Sequence, residues 1–150
     1  MRKGELSNQV LPRILVVFED LIASLPDTKT KLLAAAAAKR KKWDQVANYY
    51  ELNIHPSQGI RDLYWRHHYR VDVITFTDPN FVSPIREKLD AENMFFGGVH
   101  YYTPSRLLGD LTYDPSILAV FDPDESRILT WGSKGRYCSS DTLNLANILF

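Results

Sequence analysis

Five consecutive apolar residues, Ile14-Leu15-Val16-Val17-Phe18, stop abruptly at two acids, Glu19-Asp20. An unbroken apolar run of this length, rich in β-branched residues, suits a strand covered on both faces. That requires helices above and below the sheet, which is the arrangement of a parallel α/β fold. The rest of the chain follows the same alternation. Pro26-Asp27-Thr28 carries a helix start signal, and helical spacing extends from Thr28 to about Leu52. Leu33, Ala36, Ala37, Trp43, Ala47 and Tyr50 form the expected inner stripe. Pro56-Ser57 opens a further helix with Ile60, Leu63, Tyr64 and His67 on one face.

Val71 to Thr77 reads as a second strand, broken by Asp78-Pro79, and Ser83 caps a helix beginning at Pro84. Val99 to Tyr102 is a short third strand, and Thr103-Pro104 starts another helix. Ile117 to Phe121 is a fourth strand, ended by Asp122-Pro123-Asp124, and a short helix runs to Trp131 before Gly132. Arg136 to Cys138 is a fifth strand, and Asp141 caps a last helix carrying Leu143, Ala146, Ile148 and Leu149. The sequence therefore predicts a Rossmann-like parallel sheet flanked by helices, with the Ile14 strand in its middle.

Composition narrows the functional classes. The 150 residues fit one domain, 1–150, large enough for a real core without staples. Lysine plus arginine equals aspartate plus glutamate at 18 each, so no global charge draws the chain to nucleic acid or an anionic membrane. Cys138 is the single cysteine, which rules out an internal disulfide and a cysteine-based zinc cluster. Met1 to Val10 lacks the apolar run of a signal peptide, and no stretch approaches the ~18 apolar residues of a membrane span. A cytoplasmic protein is the expectation, with no membrane partner. Lys39-Arg40-Lys41-Lys42 beside Trp43 is the one basic cluster. A solvated helix face accounts for it, so nucleic acid is not the expected partner.

Ligands of open α/β sheets sit beyond the carboxyl ends of the strands. Three such ends carry polar groups: Glu19 and Asp20, Thr75 and Thr77, Asp122 and Asp124. Their order resembles the haloacid dehalogenase (HAD) superfamily. That family places Asp-x-Asp after its first strand, a threonine or serine after its second, a basic residue at a helix start, and acids after its fourth. Tyr69-Arg70-Val71-Asp72-Val73-Ile74-Thr75 looks like the second motif, with Thr75 as the hydroxyl. Arg106 takes the place of the basic residue, and Val120-Phe121-Asp122-Pro123-Asp124 looks like the fourth motif. The resemblance spans about residues 13 to 140, and the segment 26–54 stands where a small helical cap belongs.

The first motif departs from the pattern. One alignment puts Val17 at the nucleophile and Glu19 at the acid/base position; sliding by two puts Glu19 and Leu21 there. The family reaction needs a carboxylate to attack phosphorus and a second to protonate the leaving group. Neither frame supplies both. The resemblance then implies a degenerate member that acts by binding a protein partner or a small phosphorylated ligand. The alternative is an active Mg²⁺-dependent phosphatase or phosphotransferase. The candidate catalytic residues are Glu19, Thr75 and Arg106, and the candidate Mg²⁺ ligands are Glu19, Asp122 and Asp124. Each has a plainer reading: Glu19 as a solvated strand end, Asp124 as a helix cap, Asp122 as a turn residue, Thr75 as a strand residue and Arg106 as a solvated side chain.

Overall fold

The computed structural model describes residues 12–94, 96–142 and 145–149, the side chains of residues 146 and 147 excepted. Its centre is strand β1 (Arg13–Val17), where Ile14 to Phe18 are wholly buried. Along each edge of β1 runs a parallel strand. With β2 (Ala23–Ser24) and β3 (Glu51–Leu52) set apart, these neighbours are β4 (Arg70–Thr75) and β6 (Ile117–Asp122). Val16 lies opposite Val73 on one side and Phe121 on the other. Strand β5 (Val99–Tyr101) lies outside β4, and β7 (Gly135–Tyr137) outside β6, both parallel. The order is β5-β4-β1-β6-β7. The middle placement expected from the apolar run is what the chain adopts.

Six helices flank this sheet, besides a five-residue helix at the end of the described chain. They are α1 (Thr28–Lys39), α2 (Trp43–Tyr49), α3 (Ile54–His67), α4 (Val82–Ala91), α5 (Pro104–Tyr113), α6 (Glu125–Trp131) and the terminal α7 (Leu145–Leu149). Alternation along β1 divides the core in two. Ile14, Val16 and Phe18 share one side with Ile60 and Leu63 of α3, Ile85 and Leu89 of α4, and Leu145 and Leu149 of α7. Leu15 and Val17 share the other with Leu107 and Leu111 of α5 and Trp131 of α6. Each aliphatic side chain so buried contributes about 1.5–3 kcal/mol, which is why β1 holds the middle of the sheet.

The segment between β1 and β4 carries α1 and α2 on a small antiparallel ribbon of β2 and β3. Asp27 caps α1 by accepting from the Thr30 amide at 2.7 Å. The helical stretch expected from Thr28 to about Leu52 forms two helices, divided at Lys41, whose φ of 59° is left-handed. The inner stripe also differs from the expected one. Ala34 and Ala37 are buried, whereas Leu33 and Ala36 face solvent, because α1 packs chiefly on α2 and needs only its smallest residues at that contact. The Lys39 to Lys42 cluster is exposed at the turn between the two helices.

Several boundaries move for identifiable reasons. Helix α3 begins at Ile54, with Pro56 inside the first turn, where its missing N–H costs nothing. The second strand ends at Thr75 rather than Thr77. Asp78, not Ser83, makes the next cap, accepting from the Asn80 amide at 2.8 Å to start a 3₁₀ turn that runs into α4. Strand β7 starts one residue earlier than expected. Leu143 lies outside the described residues.

Asp72, within β4, is wholly buried toward the start of the strands. It accepts from Arg70 Nε at 2.8 Å and Arg13 Nη2 at 3.1 Å, and His100 Nε2 lies 3.1 Å away. Burial alone would push this carboxyl up. The hydrogen bonds from His100 and Arg70 and the charges of Arg70 and Arg13 outweigh it and hold the carboxyl below the usual range.

Candidate functional site

At the opposite end of the strands the chain leaves β1 through a tight loop. The Phe18 amide continues the ladder to the Ile74 carbonyl at 2.8 Å, and Asp20 takes a left-handed φ of 69°. The amides of Ile22 and Ala23 turn back to the Phe18 carbonyl, both at 3.1 Å. This loop buries Leu21 and Ile22 and turns Glu19 toward β4. Glu19 Oε2 accepts from Thr75 Oγ1 at 2.5 Å and from Thr77 Oγ1 at 2.6 Å. The Thr77 amide in turn donates to Thr75 Oγ1 at 3.2 Å, which fixes the pair.

Glu19 Oε1 is buried and has no hydrogen-bond partner. Burial pushes the Glu19 carboxyl up, and the hydroxyls of Thr75 and Thr77, its own backbone and the charge of Arg127 only partly oppose this. A neutral acid at this position can donate from its open oxygen, and an ionised one can only accept. The Phe18 and Tyr50 rings, 5.1 Å apart, adjoin the acid, with Trp43 and Phe81 extending the aromatic cluster. Burial, reinforced by the charges of Glu19 and Asp20, drives the Tyr50 phenol well above its ordinary value. Tyr50 and Trp43 thus bring the helical segment against the strand ends.

Asp122, at the end of β6, is wholly buried and fully engaged. Its Oδ1 accepts from Arg127 Nη2 at 2.8 Å and the Asp124 amide at 3.0 Å. Its Oδ2 accepts from Arg127 Nε and from Trp131 Nε1, both at 2.9 Å. Local sequence creates this grip. Pro123 ends the strand, and Asp124 caps α6 through the Ser126 amide at 2.9 Å. Arg127 and Trp131, four residues apart, then fall on one helix face. Phe76 stacks on Trp131 with 5.9 Å between ring centroids, and Arg127 lies 5.1 Å over Phe76. Neither Arg127 nor Trp131 was singled out by sequence reasoning. The four-residue spacing after the Asp122-Pro123-Asp124 turn was the available signal.

The candidates named from sequence therefore separate. Glu19 and Thr75 meet directly, and Thr77 joins them. Arg106 lies over the Tyr102 ring at 5.0 Å. Val17 is buried in β1, and Leu21 is buried in the loop, so neither alignment frame gains a second acid from the fold. Cys138 is buried, and burial followed by the Asp122 charge pushes its thiol up to about 12, leaving it unreactive.

The Mg²⁺ expectation meets the same geometry. Asp124 spends Oδ1 on the Ser126 amide and hydroxyl, and Asp122 has both oxygens occupied. Among the described residues no group of three or more His, Cys, Asp or Glu is placed to hold a metal ion. Mg²⁺ needs only one or two carboxylates besides its waters, but Asp122 as arranged offers it no free oxygen.

No protein-family model matches the sequence, and no curated protein matches it. Two solved structures resemble the fold. One is the HAD domain of effector protein Lem4 from Legionella pneumophila, with a TM-score of 0.51 and 10% identity over 86% of this chain and 85% of that one. The other is an inactive mutant of that domain, with a TM-score of 0.52 and 11% identity over 87% and 86%. The protein has a HAD-like α/β fold. At such identities the likeness concerns the fold alone. No described helix is long and apolar enough to cross a membrane.

Proposed function

We propose that this HAD-like chain is a degenerate member that acts by binding and does not transfer phosphoryl groups. The observation that supports this reading is the engagement of Asp122 by Arg127 and Trp131. It takes up both oxygens of Asp122, where the family chemistry needs two working carboxylates. A glutamate is also a poor substitute nucleophile, because its extra methylene displaces the attacking oxygen from the geometry set by an aspartate. The ligand of this reading is a small phosphorylated molecule that takes the half-buried Arg127 and the protonated, unpaired Glu19 oxygen as its donors. A protein partner is the other form of the same binding role, and residues 26–54 are then the cap-like element that shapes access.

A second reading keeps catalysis, and the unpaired Oε1 of Glu19 favours it. An acid oxygen buried without a partner is costly, and perturbed acids of this kind cluster at functional sites. Here Glu19 would attack, with Asp122 released from Arg127 on substrate binding. Assays of phosphate-ester turnover with Mg²⁺, comparing the protein with Glu19→Gln and Asp122→Asn, separate the two. Binding without turnover supports the first, and turnover lost in both variants supports the second.

A further inference from the structure

We propose that Arg127 is the resident cation of the strand-end site and excludes a divalent metal from it. Its guanidinium reaches Asp122 through two hydrogen bonds of 2.8 and 2.9 Å, one to each oxygen. Planar, two-point contact of this kind is specific to arginine, which a lysine cannot reproduce. Phe76 backs the guanidinium from one side, and Trp131 holds the same carboxylate from the next turn of α6. The position is therefore over-determined by three neighbours.

The charge of Arg127 is felt at both acids of the site. It acts on Asp122 through two hydrogen bonds, and its charge reaches Glu19 at the neighbouring strand end through space. A divalent ion there would have to break the bidentate pair and leave a displaced cation beside it. Like charges in a partly dry site repel strongly, and Mg²⁺ gives up its water shell reluctantly. Arg127 thus supplies fixed positive charge without a dissociable ion, and recognition of an anionic ligand at this end becomes independent of metal concentration.

This inference concerns metal occupancy, so its test does not depend on whether the site binds or turns over a ligand. Mn²⁺ is titrated into the folded protein and the free ion is counted by electron paramagnetic resonance. The informative component is whatever Glu19→Gln removes. The expected result is no such component in the unaltered protein or in Arg127→Lys. Arg127→Ala or Arg127→Gln, each checked for native circular dichroism, should gain it, with affinity rising by roughly 10-fold or more, the scale on which changes around a site move metal affinity. Two of these variants are used so that failure of one to fold leaves the comparison intact. A Glu19-dependent Mn²⁺ site in the unaltered protein overturns the proposal. So does a folded neutral variant that gains no site, because Arg127 would then not be what excludes the metal.

Discussion

Arg127 binds Asp122 side-on, Nη2 to Oδ1 at 2.8 Å and Nε to Oδ2 at 2.9 Å, and so occupies both oxygens of the buried carboxylate at the end of β6. The pair also ties α6 to the end of β6. Removing one partner of a buried, hydrogen-bonded ion pair leaves the other charge uncompensated, at a cost of about 2–5 kcal/mol. Arg127 is half-exposed, which places Arg127→Ala toward the lower end. Urea denaturation should show this loss, and a change within about 0.5 kcal/mol, as for an ordinary surface substitution, would mean that the pair is not structural.

Asp72 should contribute to the acid limit of stability. Its folded carboxyl lies below the ordinary value, so its contribution is present above the unfolded pKa and is lost as pH falls through the folded one. Thermal melts from pH 6 down to pH 2 should fall steeply below about pH 4. Asp72→Asn should be less stable at pH 6 by about 2–4 kcal/mol, since Arg13 and Arg70 lose their buried partner. The gap should close at the acid end. A constant gap across the range would remove Asp72 from the pH response.

Glu19 acts with the opposite sign. Its folded carboxyl is raised, so the stability it contributes is full below the unfolded pKa and is lost as pH rises through the folded value. The melting temperature of the unaltered protein should therefore decline relative to Glu19→Gln as pH increases above about 4.5. Parallel melting curves from pH 4 to pH 9 would show that the carboxyl is not burdened by its burial.

Two glycines should respond to alanine in opposite directions. A Cβ at Gly97 would collide with the Asp72 carboxylate and come within 2.8 Å of the Arg70 side chain. Such overpacking costs about 1–3 kcal/mol. At Gly109, inside α5, nothing lies within 4 Å, and alanine should stabilise by about 0.5–1 kcal/mol through helix propensity. Chemical denaturation of Gly97→Ala and Gly109→Ala checks both signs, and a stabilising Gly97→Ala would mean that the Asp72 cluster tolerates displacement.

The architecture was legible because β1 announces itself. A run from Ile14 to Phe18 with no polar residue can be satisfied only in the middle of a covered sheet. The meeting of Glu19 with Thr75 was legible too, since both follow strands that the pattern places side by side. What escaped was pairing across elements. Arg127 looked like any charged helix residue until the turn at Pro123 brought it back over Asp122. Asp72 looked like a polar interruption of a strand, because its partners Arg13 and His100 come from two other strands. The outward Leu33 escaped because helical spacing locates an apolar stripe but not the neighbour that will cover it.

Turnover of a generic phosphate monoester in the presence of Mg²⁺ bears most directly on whether this site binds or catalyses. The unaltered protein, Glu19→Gln and Asp122→Asn are assayed together, each confirmed folded. With Asp122 held by Arg127 and Glu19 tied to Thr75 and Thr77, all three should stay at the rate of the protein-free control. Robust Mg²⁺-dependent turnover by the unaltered protein, abolished by both substitutions, would contradict the binding role and establish Glu19 and Asp122 as working parts of an enzyme.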